Sequence, residues 1–555
     1  MNSMNDTIAE QIIKFMGKQE IEFAFGHPGG PILPIYDALA SVSKPKGITV
    51  RHEESASFMA DAIGKLTGKP GLCMSTMGPG AANMLIGVAT AMSDYTPMIA
   101  ITGQLRQNRL GKGDQQETDH NSIYEGVTKE SIQIKDPKKA LKIIEKAYKI
   151  SIEGRPGPVH IDLPRDVSSS KTENEYEIKK YIKKENKTID LQEIKEAVEL
   201  IKKSSCPVIL SGGGTITAGA SKQITRLAES ILAPVATSYN GRGSISEDHH
   251  LSIGRAGEFT PEYANKIISE ADLIIAIGYR FTDVSIEGIS IREDAKIIQI
   301  DIDESELGHN QNIELGIFGD AKAVMAQLNE AADGRRSGFA GALESPWVVN
   351  LRQADEERAA RSAPILNSDQ TPIHPLRLCK EIAEFLDRDA IVSVDGNEIL
   401  HFGRQSIPTY YPGHRLNSGV TGTMGVGLPY GIGAKVAKPD KQVLVLHGDG
   451  SMGMNAMEID TAVRHDLPVV TVISNNAGWT ARTPDKRKPG RELGHTAFDE
   501  MAEALHGYGE RVENPAEIKP ALDRAFSSGK PAVVNVIVEP TAAGVSRAWG
   551  GSRME

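Results

Sequence analysis

An aspartate and an asparagine set at a fixed interval are the first residues in this chain with chemistry to offer. Asp449 lies in Gly448-Asp449-Gly450, at the end of the apolar run QVLVLHGDG (442–450). Asn476 follows 27 positions later (476 − 449), in the pair Asn475-Asn476 that ends VVTVISNN (469–476). A βαβ crossover of that length lays two parallel strands side by side. Both side chains then emerge at the carboxyl edge of the sheet, where open α/β sheets bind ligands. A carboxylate, an amide oxygen and a backbone carbonyl are hard donors suited to Mg²⁺, with phosphate oxygens completing the octahedron. The glycines admit a diphosphate close to the backbone, and a helix starting near Met452, just after Ser451, would turn its N-terminus toward the anion. The plain alternative is a structural turn, which the spaced Asn pair argues against.

Other residues invite the same weighing. Glu53 and Glu54 begin a helical stretch, where two adjacent carboxylates read either as one working group or as a solvated pair. His27, in GHPGG, is a proton donor or a surface-turn histidine. The cysteines, Cys73, Cys206 and Cys379, are far apart and form no C-x-x-C pair, so neither a disulfide framework nor a zinc site is expected.

These residues need a scaffold, and the sequence supplies an alternating one. Residues 1–167 interleave helical stretches with the strand-like runs IEFAFG (21–26), LCMST (72–76), MIAITGQ (98–104) and VHIDLP (159–164). Such alternation predicts a parallel sheet covered by helices. Residues 168–189, lysine-rich with almost nothing apolar to bury, read as a linker. A second α/β unit spans 190–332, with strands PVILSGGG, DLIIAIG and KIIQIDID. A second polar connection covers 333–372, and a third α/β unit 373–541, leaving a tail at 542–555. The expected architecture is thus three α/β domains, each a doubly wound parallel sheet.

With 40% hydrophobic and 24% charged residues, the composition is that of an ordinary soluble protein. The formal charge of −11 argues against nucleic acid, and no apolar run approaches the ~20 residues needed to cross a bilayer. The N-terminus reads as an amphipathic helix and not as a signal peptide, so a cytoplasmic location is expected. The basic residues change character along the chain. Residues 1–332 hold 27 Lys and 10 Arg, whereas 333–555 hold 8 Lys and 17 Arg. This reads as a chimera joined near residue 333, with drift between domains as the alternative.

GDGSMGMNAMEIDTAVRHDLPVVTVISNN resembles the thiamine-diphosphate (ThDP) motif of the acetolactate synthase and oxalyl-CoA decarboxylase superfamily. The resemblance implies three domains of the ThDP-enzyme type, with Asp449, Asn476 and the Gly478 carbonyl as Mg²⁺ ligands, and Gly448, Gly450 and Ser451 beside the diphosphate. RHEESASFMADAIGKLTGKPGLCMSTMGPGAANMLIGVATAMSDYTPMIAITGQ (51–104) resembles the pyrimidine-binding domain of the same superfamily. Glu53 matches the glutamate that hydrogen-bonds pyrimidine N1′, and Asn83 matches a position close to the cofactor. GVTGTMGVGLPYGIGAK (419–435) looks like the loop beneath the cofactor. In it Met424 would be the wedge that bends ThDP, and Gly422 would accept the N4′ amine. Gly396 and Asn397, in VDGNEIL, face the cofactor edge by motif position. Gln116, in GDQQETD, matches a loop facing the reactive carbon, and His27 is added as a catalytic candidate. The family places the cofactor between the first domain of one subunit and the third of its partner, implying a homodimer or homotetramer with active sites at the interface.

The reaction is expected to be that of a 2-hydroxyacyl-CoA lyase, which cleaves its substrate to an aldehyde or ketone plus formyl-CoA. That expectation leans on GRQSIPTYYPGHRLNSG (403–419), which resembles the GR…HRLDAG stretch of acyl-CoA-handling members, and on reading SRAWGGSRME as a lid. The alternatives are an acetolactate-synthase-like enzyme condensing pyruvate, to which GHPGGPILPIYDAL and GYRFTDVSIEG are similar, and an oxalyl-CoA decarboxylase. The loop LSGGGTITAGA (210–220) of the middle unit would bind FAD or the ADP part of CoA, or be a plain turn. A catalytically dead, cofactor-binding regulator is disfavoured by intact Glu53, Asp449 and Asn476.

Overall fold

The computed structural model describes residues 6–171, 178–182, 189–257, 262–286, 288–333, 353, 356–357, 360–479 and 489–540. Their strands form three six-stranded sheets, parallel throughout. The first sheet holds β1 (Phe23–Gly26), β2 (Lys46–Thr49), β3 (Gly71–Ser75), β4 (Met98–Gln104), β5 (Glu130–Gln133) and β6 (Pro158–Pro164), in the order β2-β1-β3-β4-β6-β5. The second holds β7 (Pro207–Ser211), β8 (Val235–Thr237), β9 (Ser252–Arg255), β10 (Leu273–Ile277), β11 (Lys296–Asp301) and β12 (Leu315–Phe318), ordered β12-β11-β10-β7-β8-β9. The third holds β13 (Ile391–Asp395), β14 (Arg415–Leu416), β15 (Val443–Gly448), β16 (Val470–Asn475), β17 (Tyr508–Val512) and β18 (Ala532–Ile537). Its order, β14-β13-β15-β16-β18-β17, repeats that of the first sheet strand for strand.

The central strands are buried on both faces by covering helices, so their sequences run apolar without alternation. Each sheet has a central point where the strand order reverses, at β1/β3, β7/β10 and β13/β15, and the first and third reverse again at the edge, where β6 lies inside β5 and β18 inside β17. At each central point a crevice opens at the carboxyl ends, because the flanking connections leave in opposite directions.

The first and third units share one hydrophobic core. The helix Glu53–Thr67 packs lengthwise on the helix Gly427–Ala437, with Phe58 edge-on to Tyr430 at 6.0 Å between ring centroids. A Cβ at Gly433 would stand 2.7 Å from the Met59 carbonyl oxygen, so only glycine permits this approach. Buried in the seam, the Lys65 ammonium donates to Asp94 Oδ2 (2.7 Å), the Asn417 carbonyl (2.9 Å) and Tyr430 Oη (3.1 Å), and pairs with Asp61 Oδ2 (3.0 Å). Tyr430 donates to Asp61, and Asn240 of the second unit donates to Asp94 Oδ1 (2.8 Å). Burial opposes the Lys65 charge, yet Asp61 and Asp94 carry its pKa well above the ordinary value; burial likewise raises Asp61. All three units meet at this cluster.

Two expectations need correction. The connection after the first unit does bury apolar groups, since Ile178 and Tyr181 pack on the first core and Gln19 bonds the backbone of Lys179 and Tyr181. The short helix after Gly448 runs Asp449–Asn455, three residues earlier than Met452, so Asp449 itself opens the helix. Most of 333–372 and the whole tail from 541 lie outside the described residues. No described helix is long and apolar enough to cross a membrane.

Replacing Lys65 by Met leaves two buried carboxylates facing each other without their cation. We expect a loss of about 3–5 kcal/mol, read as a lower denaturant midpoint. Adding Asp94→Asn should recover part of it. An unchanged midpoint for Lys65→Met would rule out the cluster as the joint.

Candidate active site

At the β13/β15 crevice, three chain segments converge. Asp449 and Asn476 are buried at the ends of neighbouring strands β15 and β16, and Asp449 Oδ1 accepts the Gly450 N–H at 2.9 Å. The Asn476 amide donates to Glu398 Oε2 (2.9 Å), which fixes which end is nitrogen, and its Oδ1 accepts the Gly478 N–H (3.3 Å). Gly396 lies against Gly448, where a Cβ would stand 3.1 Å from the Gly448 nitrogen, and exposed Asn397 follows it. Gly396, Asn397, Gly448, Asp449, Gly450, Ser451, Asn476 and Gly478 therefore gather at one crevice. Among the described residues, no group of three or more His, Cys, Asp or Glu could hold a metal ion. The set here is different in kind: one carboxylate, one amide oxygen and one backbone carbonyl, a hard-donor combination that fits Mg²⁺ shared with phosphate.

Gly422, at φ 61°, is exposed, and Met424 is half-buried in the neighbouring loop. That loop is tied down by Asn455, whose amide donates to the Gly425 carbonyl (3.0 Å) while its oxygen accepts from Ser55 Oγ (3.1 Å). Glu53 is buried at the first turn of its helix and accepts from Asn83 Nδ2 at 3.0 Å. The third unit caps this helix start, because Glu458 accepts the backbone N–H groups of Arg51 and His52, each at 3.1 Å. Glu54 is not a solvated neighbour. It is half-buried, and that burial raises its pKa.

Exposed Gln116 holds φ 63° with its backbone against Gly78, and exposed His27 bonds only the adjacent Pro28 carbonyl (3.1 Å) among the contacts seen. Both flank the β1/β3 crevice. Beneath them lies a buried network that the sequence did not reveal. Gly78 N–H donates to His120 Nε2 (3.0 Å), so Nδ1 carries the ring proton and faces Asp162 Oδ1 (2.9 Å). Thr102 links Asp162 to His160, which stacks on Tyr124 at 3.9 Å, and Tyr124 Oη donates to the Ala81 carbonyl. The network holds Gly78 and Ala81 at the start of the helix Pro79–Ser93, which carries Asn83.

Two cavities adjoin these crevices. One, of about 830 Å³, is lined by His52, Glu54, Asp449, Met454 and Trp479, the last packed on Gly450; Glu53 does not line it. The other, of about 870 Å³, sits at the β7/β10 crevice between all three units, with Lys65, Arg155, Lys222, Arg280, Lys322 and Arg415 in its wall beside Asp94, Asp301 and Asp320. A Cβ on Gly212 would stand 1.7 Å from the Gly278 carbonyl oxygen, and one on Gly278 would stand 2.7 Å from Gly214 Cα, so neither admits a side chain. The stretch that pointed to an acyl-CoA has a structural account. Arg415 is buried and donates to the Gly403 (2.7 Å) and Ile407 (3.4 Å) carbonyls, so GR…HRLNSG holds the backbone of its own unit together.

The chain matches three family descriptions in succession. These are "Thiamine pyrophosphate enzyme, N-terminal TPP binding domain" over residues 6–123, the central domain over 194–328, and the C-terminal TPP binding domain over 400–536. It is 36% identical to a probable acetolactate synthase large subunit of Methanococcus aeolicus, across 96% of this chain and 92% of that protein. The corresponding protein of Methanocaldococcus jannaschii is 37% identical over the same shares. An acetolactate synthase isozyme 3 large subunit of Escherichia coli is 31% identical across 93% and 92%. The first two alignments take in 96% of the chain, so single relatives resemble both sides of residue 333; nothing in the fold explains the change from Lys to Arg there.

Burial pushes the His160 pKa down from 6.5 to about 3. Below pH 6.5 the unfolded chain takes up a proton that folded His160 refuses, so stability falls with pH until about pH 3. The expected contribution is roughly 1.4 kcal/mol per pH unit. Denaturant midpoints between pH 6 and 4 should fall less steeply for His160→Gln than for the parent, and parallel slopes would refute this.

Proposed function

The chain belongs to the thiamine pyrophosphate enzymes, and from that premise we propose that it is an acetolactate-synthase-like carboligase acting on pyruvate. The observation that carries this reading is the pairing of full-length likeness to acetolactate synthase large subunits with both cofactor-facing sets of residues intact. Asp449, Asn476 and the Gly478 carbonyl would hold Mg²⁺ against the diphosphate, with Gly448, Gly450 and Ser451 alongside. Thiamine diphosphate would supply, when bound, the electron sink for making or breaking a bond beside a carbonyl. Glu53, oriented by Asn83, would keep a proton at pyrimidine N1′. Met424 and the Gly422 carbonyl would fix the bend of the ring system, and Gln116 and His27 would face the substrate.

Among the described residues, the cavity that Asp449 lines is bordered by His52 and Glu54 but not by Glu53. This supports a site completed by a second copy, with Glu53 of one and Asp449 of the other. The relatives are designated large subunits, which extends the proposal to a separate smaller partner chain. The 870 Å³ cavity with its basic wall would take a nucleotide-bearing group such as FAD or ADP. The lyase reading loses its main support once Arg415 is seen to hold backbone, while the acyl-CoA handle at the tail lies outside the described residues.

Pyruvate consumption with ThDP and Mg²⁺, run beside formyl-CoA release from a short 2-hydroxyacyl-CoA, separates the two reactions. We expect pyruvate to be consumed and no formyl-CoA to appear; the reverse would restore the lyase. Glu53→Ala should lower turnover by several orders of magnitude while circular dichroism shows the fold intact. Turnover at the parent's rate would overturn the cofactor assignment.

A further inference from the structure

His447 is the one polar residue in the buried run Val443–His447, and it lies one strand position before the Gly448-Asp449-Gly450 turn. A buried imidazole costs stability unless both nitrogens are satisfied. Here they are, and the partners lie on different segments. Leu428 N–H donates to Nε2 at 2.8 Å, which leaves the ring proton on Nδ1 to be donated to Ser451 Oγ at 3.0 Å. Ser451 passes its own proton to the Gly448 carbonyl (3.1 Å), within the same turn. Asp395, at the end of β13, takes the preceding N–H, that of Gly427 (2.9 Å), and also the Gly396 N–H (2.6 Å). Two successive N–H groups at the start of the Gly427 helix are thus held by side chains from two adjacent strands.

The fit is steric as well as polar. A Cβ on Gly427 would stand 2.6 Å from both Cε1 and Nε2 of His447, so the ring occupies the space that this glycine leaves. A neutral imidazole, with its two nitrogens on different edges of one rigid ring, accepts from Leu428 and donates to Ser451 at once.

We propose that His447 is a positioning residue that sets the spacing between the Met424 loop and the Gly448-Asp449-Gly450 turn, and so fixes ring-facing and diphosphate-facing parts of the cofactor site relative to each other. The inference rests on the reading of these two segments as the cofactor site. Residues that hold ligating groups from behind commonly cost ten- to a hundredfold when removed.

The test is calorimetric titration of ThDP in saturating Mg²⁺. The near-ultraviolet circular dichroism of the bound aminopyrimidine is recorded alongside. His447→Phe keeps the ring and removes both bonds; ThDP affinity should fall at least tenfold and the dichroic band should change. If His447 acts through Ser451, the His447→Phe/Ser451→Ala double variant binds no more weakly than His447→Phe alone, whereas a merely structural histidine gives additive losses. Should the Phe variant not fold, His447→Gln replaces it, since its side chain can keep one of the two bonds. Unchanged affinity and spectrum in the variant, or additive losses in the double, would overturn the proposal. Asp449→Ala separates the two failures. If it leaves ThDP affinity intact, the cofactor-site reading is wrong; if it weakens binding while the His447 variant does not, only the role of His447 falls.

Discussion

Everything that matters in this molecule depends on one joint, where the Glu53 helix lies along the Gly427 helix. The first carries Glu53 at its start and Lys65 near its end. The second begins at the N–H groups gripped by Asp395 and His447 and carries Tyr430 to the Lys65 cluster. Close contact at Gly433 leaves no room for the helices to slide. Glu458 and Asn455 then reach from the third unit to the backbone and side chains at the Glu53 end. The joint converts two separately folded sheets into one rigid frame, which precise ligand placement requires.

The first and third sheets repeat the same strand order, and each offers its central reversal point as a working crevice. One crevice is rimmed by His27, Gly78 and Gln116, and the other by Gly396, Gly448 and Asp449. Near the first lies the Glu53 carboxyl with its Asn83 partner, and at the second hard oxygens and glycine backbone, so the two ends are chemically unlike. The middle sheet has a different order and a crevice of its own, where the basic wall of the larger cavity lies. Its glycines are explained by backbone contact between Gly212 and Gly278 before any ligand is considered.

What could be read from the sequence follows from burial and distance along the chain. Strands covered on both faces, such as β4, β10 and β15, are continuous apolar runs and were plain. β2, β5 and β17 sit at or next to sheet edges with mixed exposure, so their polar sequences gave no period to find. The Asp449–Asn476 spacing was legible because both ends belong to one crossover. Glu458, Asn455 and His120 were not, because each works on a partner that only the fold brings near; Glu458 and His52 are 406 positions apart. Only the position of Glu458 and Asn455 just beyond the glycine turn gave any hint. Arg415 misled in the opposite sense, since its motif suggested a substrate and the structure shows a brace.

The shared core has a consequence for how the chain is made. Phe58, Met59 and Ala62 face partners in the Gly427 helix, and Phe58 precedes Tyr430 by 372 positions (430 − 58). At roughly 5–20 residues per second, a ribosome needs about 20–75 s to cover that interval. The first sheet is complete once Pro164 is made, 266 positions before Tyr430 (430 − 164), so for about 13–53 s at those rates it stands bare on one side, its Lys65 still in water and its apolar helix face exposed. The nascent protein therefore passes through a long adhesive stage that no inspection of the finished molecule would suggest, and its yield in a cell depends on what shields that face meanwhile.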